Sequence, residues 1–122
     1  MSRSLPVNHF VFARAWAGRS ERLGECLRTL LAPSRNAPGC LGFDLQRSLQ
    51  DPDLWLISGT WSSEAAMNAW LMTPQLQVFA DVMQGFLASS LDFHTFANDR
   101  DVDQETAQRL RDLSASGLES AL

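Results

Sequence analysis

The residues best suited to chemistry are two tryptophans and two histidines. The stretch GTWSSEAAMNAWLMTP, Gly59 to Pro74, carries Trp61 and then Trp70, each followed by small or apolar residues rather than charge. Indoles offer a large stacking area at low entropic cost, so two of them facing one space make walls for a flat aromatic ligand. Phe43, Phe79 and Asn68 complete the candidate lining. The polar partners such a pocket needs are His9, Arg14 and His94. Histidine changes charge near neutral pH and takes a proton readily. Arginine stabilises an anion, or else it is half of an ion pair, for which Asp44 is the candidate partner. The alternative for the tryptophans is plain core: Trp61 and Trp70 then touch and close the space.

Elements must place these residues. Val7 to Ala17 reads as a strand, with Val7, His9, Val11, Ala13 and Ala15 on one face and Asn8, Phe10, Phe12, Arg14 and Trp16 on the other. Arg19 to Ala32 reads as a helix with an apolar stripe of Leu23, Cys26, Leu27, Leu30 and Leu31, stopped by Pro33. Cys40 to Ser48 alternates, Leu41, Phe43 and Leu45 inward. The LQDPD turn leads into Leu54 to Trp61, whose odd face is Trp55, Ile57, Gly59 and Trp61. A helix follows from about Ser63, with Ser62 or Ser63 as N-cap. Asn68 lies on that helix two residues before Trp70, a spacing that points the two side chains apart.

Thr73-Pro74 restarts the helix, Thr73 as cap. The new helix carries Leu76, Phe79, Ala80 and Met83 on one face and ends at Gly85. Phe86 to Phe96 is the last strand, with His94 and Asp92 on one face. The order β-α-β-β-α(α)-β predicts an α+β, ferredoxin-like split βαβ fold with a four-stranded antiparallel sheet, helices on one face, in residues 1–97. Residues 98–122 are polar and read as an appended C-terminal helical extension.

Two strands are apolar on both faces, and helices can cover only one of them. That predicts a second copy packed on the open sheet face, a homodimer. At 122 residues with net charge −4 and the ten basic residues scattered, the chain lacks the basic stripe of a nucleic-acid binder. No segment approaches the apolar length of a membrane span, and the N-terminus lacks the apolar run of a signal peptide. Cys26 and Cys40 form neither a CxxC nor a zinc spacing, which fits a reducing compartment. The expectation is a cytoplasmic protein with no metal, no cofactor and no membrane or nucleic-acid partner, and with a small aromatic molecule as ligand.

From about Val7 to Phe96 the sequence resembles the antibiotic biosynthesis monooxygenase family of the dimeric α+β barrel superfamily. The resemblance is carried by VFARAW, by SRNAPGCLGFDLQRSLQDPD and by WSSEAAMNAWLMTP; APGC, Trp61, Ala66 and Thr73-Pro74 fall where that family has them. It implies a cofactor-free oxygenase whose electron-rich phenol or quinol substrate supplies the electrons to oxygen. The protein would then hold the substrate, exclude water and stabilise the anion. Two positions depart from the pattern: Gly59 stands where the family usually has Glu, and Trp70 where it usually has His. The haem-degrading relatives use an Asn, a Trp and that His, and the positions that look equivalent here are Ala13, Trp61 and Trp70. The resemblance therefore argues against haem chemistry. It leaves open a non-catalytic, dimeric small-ligand-binding or scaffold protein that has lost the Glu and His.

Overall fold

The structure is a computed structural model, and it describes residues 5–97. The expected C-terminal helical extension lies outside the described residues. The elements run β1 (Val7–Ala15), α1 (Ser20–Arg28), α2 (Leu31–Arg35), β2 (Cys40–Arg47), β3 (Leu54–Trp61), α3 (Glu64–Leu71), a 3₁₀ turn (Pro74–Leu76), α4 (Gln77–Gln84) and β4 (Ala88–Ala97). The strands form one antiparallel sheet in the order β2-β3-β1-β4, so the fold is the ferredoxin-like α+β arrangement. Among the described residues no helix is long and apolar enough to cross a membrane.

Strand alternation sorts the sheet into two faces. Odd residues of β1 and β3 point at the helices and are buried. Val11, Ala13, Ile57, Leu23, Leu27, Leu30 and Val82 are all at most 1% exposed and form the centre of the core. Each such aliphatic side chain contributes about 1.5–3 kcal/mol of burial for the larger members. The even residues Phe10, Phe12, Leu54 and Leu56 are half-buried on the opposite face, and among the described residues no helix lies over them. Phe96 joins them from β4, packing edge-on to Phe10 at 5.6 Å.

The first helix does not run on to Ala32. It ends at Arg28, and Leu31–Arg35 forms a second short helix that contains Pro33. In one continuous helix Pro33 would meet the carbonyl of Thr29, which it cannot bond and against which its ring would clash. The break therefore falls at Thr29, whose hydroxyl donates back to the Cys26 carbonyl at 2.6 Å. In the new helix Pro33 sits in the first turn, where no backbone donor is needed.

Three further expectations shift. Leu41 is 62% exposed rather than inward, because a register irregularity between Cys40 and Gly42 throws it out of the alternation. On α4 the buried residues are Phe79 and Val82, while Met83 is exposed. Gly85 does not supply the left-handed residue after α4: Gly85 has φ −83° and Phe86 has φ +57°. The Leu87 amide bonds the Val82 carbonyl and the Phe86 amide bonds that of Met83, which is the Schellman pattern with Phe in the usual glycine position. The outer edge of β2 is covered by Arg35, whose Nε donates to the Phe43 carbonyl at 2.8 Å while the guanidinium meets Asp44 at 3.2 Å.

Candidate functional site

Trp61 is the last residue of β3, paired with Val7 on one side and Cys40 on the other. Trp70 arrives from α3, whose start is fixed by the Ser63 hydroxyl accepting from the Ala66 amide at 3.0 Å. The two indoles are in contact: their centroids lie 5.2 Å apart at 34°. Trp61 is 0% exposed and Trp70 2%. They do not wall a space between them. Their rings meet there instead.

Phe43 from β2 closes the same cluster, edge-on to Trp70 at 5.4 Å. Gly59 is part of this packing. A Cβ there would lie 2.9 Å from Trp61 Nε1 and 3.1 Å from the Phe43 ring, so the room a side chain would use is taken by those two rings. The indole N–H groups differ. Trp70 Nε1 donates to the buried Ser34 hydroxyl at 2.9 Å. Trp61 Nε1 is buried, and no described residue accepts from it.

His9 sits on the helix face of β1, in register with Gly59 of β3 and Thr95 of β4. It is 3% exposed. Its ring meets Trp70 edge-on at 5.8 Å and Phe93 at 6.0 Å, and Phe79 packs edge-on against Phe93 at 5.4 Å. No hydrogen bond among the described residues engages either ring nitrogen. Burial pushes its pKa below the ordinary 6.5, so the ring is neutral at physiological pH. Ala13, the position matched to the haem-relative Asn, is not beside the tryptophans: it pairs with Trp55 and Leu91, farther along β1. On that face of β1, Val7 lies opposite Trp61 and His9 meets Trp70.

The other sequence candidates lie elsewhere. Arg14, the last but one residue of β1, is on the open face and pairs with Asp51 of the hairpin turn at 2.5 Å, not with Asp44. That guanidinium and the Asp53 amide hold the Asp51 carboxyl below its ordinary range. His94 is on the open face, edge-on to Phe12 at 6.0 Å and stacked on Phe96 at 6.1 Å, with the whole sheet between it and Trp70. Asn68 is exposed on α3, away from the ring cluster. His9, Phe43, Trp61 and Trp70 thus form one chain of rings that Phe93 extends to Phe79, and Arg14, His94 and Asn68 stand outside it.

Sequence reasoning missed Phe93 and Ser34. Phe93 was legible as the complement of the Asp92/His94 face. Ser34 gave no signal, because the segment after Pro33 reads as loop. A separate cleft of about 290 Å³ lies behind Trp70, between Ala37–Gly39 and α3.

A family model described as antibiotic biosynthesis monooxygenase matches residues 7–82. A crystal structure of a Pseudomonas aeruginosa protein superposes with TM-score 0.72 at 26% identity, covering 80% of this chain and 98% of that one. A Bacteroides thetaiotaomicron protein of unknown function, described as a possible oxidoreductase, gives TM-score 0.70 at 23% identity over 79% of this chain and 100% of its own. A Deinococcus radiodurans protein named provisionally as an antibiotic biosynthesis monooxygenase gives 0.71 at 21% over 80% and 96%. At identities this low, the last two likenesses speak for the fold alone. No curated protein matches the chain.

Proposed function

The chain belongs to the antibiotic biosynthesis monooxygenase family, and from that premise we propose that it oxidises a small, electron-rich aromatic substrate with molecular oxygen, with His9 as the general base. The observation that carries this reading is the state of His9: buried, neutral, and without a described hydrogen-bond partner in a surround of Trp70 and Phe93. A neutral imidazole in an apolar site is ready to take a phenolic or benzylic proton. The substrate would approach over Phe93, which is 48% exposed and faces the helix side of the sheet.

Deprotonation makes the substrate an electron-rich anion that oxygen can attack directly. For a ring methylene the balance is simple. The CH2 loses both hydrogens, one atom of O2 becomes the new carbonyl oxygen, and the other leaves with those hydrogens as water. All the electrons come from the substrate, so on this reading no cofactor takes part. The protein excludes water and holds the proton on His9.

We further propose that the working form is a cytoplasmic homodimer joined through the open sheet face. Phe10, Phe12, Leu54 and Leu56 give that face the apolar character of a buried interface, and Cys26 and Cys40 are unpaired thiols suited to a reducing compartment.

A second reading has its own support. Trp61 and Trp70 fill the space that Glu and His would otherwise define, which suits a protein that binds or scaffolds without turnover. Oxygen uptake by chelator-treated protein with anthrone-like phenols and quinols separates the two. Uptake that falls at least roughly a hundredfold in His9→Gln, as loss of a general base implies, and is unchanged in Arg14→Gln supports the oxygenase. No uptake above buffer, or equal uptake in His9→Gln, overturns it.

A further inference from the structure

Trp70 stands between two different surroundings. Behind it is the cleft of about 290 Å³, whose walls are otherwise small residues such as Ala37, Gly39, Ala66 and Ala69. Before it is His9, whose ring meets the indole edge-on at 5.8 Å. Of the residues that border the cleft, Trp70 alone belongs to the ring cluster. His9 is nevertheless buried, and so is Trp70. The indole is therefore the partition between solvent in the cleft and the imidazole.

Its main chain and its side chain are held by different means. The Thr73 amide and hydroxyl both donate to the Trp70 carbonyl, at 3.0 and 2.6 Å. Trp61 and Phe43 pack against the ring from the core, but toward the cleft the neighbours are small and leave it room to swing. The polar contact that fixes its rotation is Nε1–H to Ser34 Oγ at 2.9 Å. Ser34 is itself fully buried and fixed: its amide donates to the Leu30 carbonyl at 3.0 Å, and the next residue, Arg35, ties the same short helix to the Phe43 carbonyl at 2.8 Å. Taking away the Ser34 oxygen leaves a buried donor that water from the cleft can satisfy.

We propose that Ser34 is a positioning residue for the base: it latches Trp70 across the cleft and so keeps solvent from His9. The inference rests on the reading of His9 as the base of an oxygenase. Gly59 flanks His9 from β3, Thr95 and Phe93 from β4, and Trp70 from α3, and none of these is ionisable. With no charge beside it, the ring is kept neutral by dryness, which is the cause of its lowered pKa. Once the latch is gone, water reaches the freed N–H, the surroundings of His9 become wetter, and its proton affinity rises toward the ordinary value. A larger share of the rings is then already protonated near neutral pH and unavailable as a base.

The test is NMR titration of the His9 ring in the intact protein, assigned with His94→Gln, and then in Ser34→Ala and Ser34→Cys. The cysteine keeps the bulk of serine but replaces a strong acceptor with a weak one, so it serves even where the alanine variant folds poorly. The expected result is a His9 midpoint moved up toward 6.5 in both. Ile57→Val, which loosens the core without touching the latch, should leave the midpoint in place. Adding Ser34→Ala to Trp70→Phe should cause no further shift, because the donor is already gone. In oxygen uptake, kcat of the Ser34 variants should fall roughly tenfold or more with KM changed less, as displacement of a wall beside the base implies. An unmoved midpoint in both Ser34 variants, an equal shift in Ile57→Val, or a further shift in the Trp70→Phe background overturns the latch. Absence of uptake in the parent overturns the oxygenase reading instead, and the titration still decides whether Ser34 governs the hydration of His9.

Discussion

Trp61 and Trp70 occupy one cluster at nearly equal burial, so the same substitution in each removes a similar volume and leaves a similar void. What differs is the N–H. Trp70→Phe breaks the 2.9 Å bond to Ser34 and leaves a buried hydroxyl with one partner fewer. A typical hydrogen bond of this kind is worth about 0.5–1.5 kcal/mol net, and a stranded buried partner adds to the loss. Trp61→Phe breaks nothing, because no described residue accepts from its Nε1. It removes a buried, unsatisfied donor whose desolvation costs about 1–3 kcal/mol.

The void term, about 1–2 kcal/mol for the lost half of each indole, is common to both and cancels in the difference. Trp70→Phe is therefore expected to be less stable than Trp61→Phe by about 2–4 kcal/mol, and Trp61→Phe itself to lie near the parent. Equilibrium urea unfolding followed by far-UV circular dichroism measures both, with equal m-values required before midpoints are compared. Equal losses in the two variants, or a larger loss in Trp61→Phe, would refute the assignment of one satisfied and one orphaned indole.

Two further outcomes follow from other positions. His9 has a folded-state pKa below its ordinary 6.5, so the unfolded chain binds the proton more tightly; stability should be flat above pH 6.5, fall as pH drops through the interval down to the folded pKa, and level off below it. Thermal midpoints taken across pH 5 to 8 should show that fall in the parent and lose it in His9→Leu, and an identical slope in both would remove His9 as its source. Phe86→Gly places glycine at the φ +57° position of the Schellman turn, where a non-glycine residue costs about 1 kcal/mol, and should raise stability by roughly that amount in the same urea assay; a loss of stability would show that the 68% exposed ring makes contacts worth more than the strain.

Much of the fold was legible because the signals were local. Leu54 to Trp61 stands out as a strand by its own residues, and Ser63 caps α3 as its place before an apolar helix suggests. The faces of His9, Trp61 and His94 followed from a period of two. The rest depended on partners distant in sequence. Pro33 acts on the carbonyl of Thr29, so its effect appears a turn before the residue itself. Whether Gly59 leaves a void depends on where Phe43 and the Trp61 indole fall, and only the β2–β3 register fixes that. Arg14 finds Asp51 rather than Asp44 because the hairpin turn folds back toward the end of β1 while Arg35 has already engaged Asp44. Nor does local sequence bring Phe93 to His9, since β1 and β4 are neighbours only through the sheet order.

The contact between the two indoles also has an optical consequence. Transition dipoles 5.2 Å apart do not absorb independently: they couple, and the pair splits into joint states with a paired positive and negative band in the far-ultraviolet circular dichroism. That couplet depends on the distance and angle between Trp61 and Trp70, so it vanishes when the aromatic core loosens even while the strands and helices persist. Because His9 lies edge-on to one member of the pair, and an imidazolium ring quenches indole emission where a neutral one does so far less, the fluorescence of the same pair reads the proton on His9. The natural protein thus carries, without any label, one signal for the packing of its core and another for the charge at its centre.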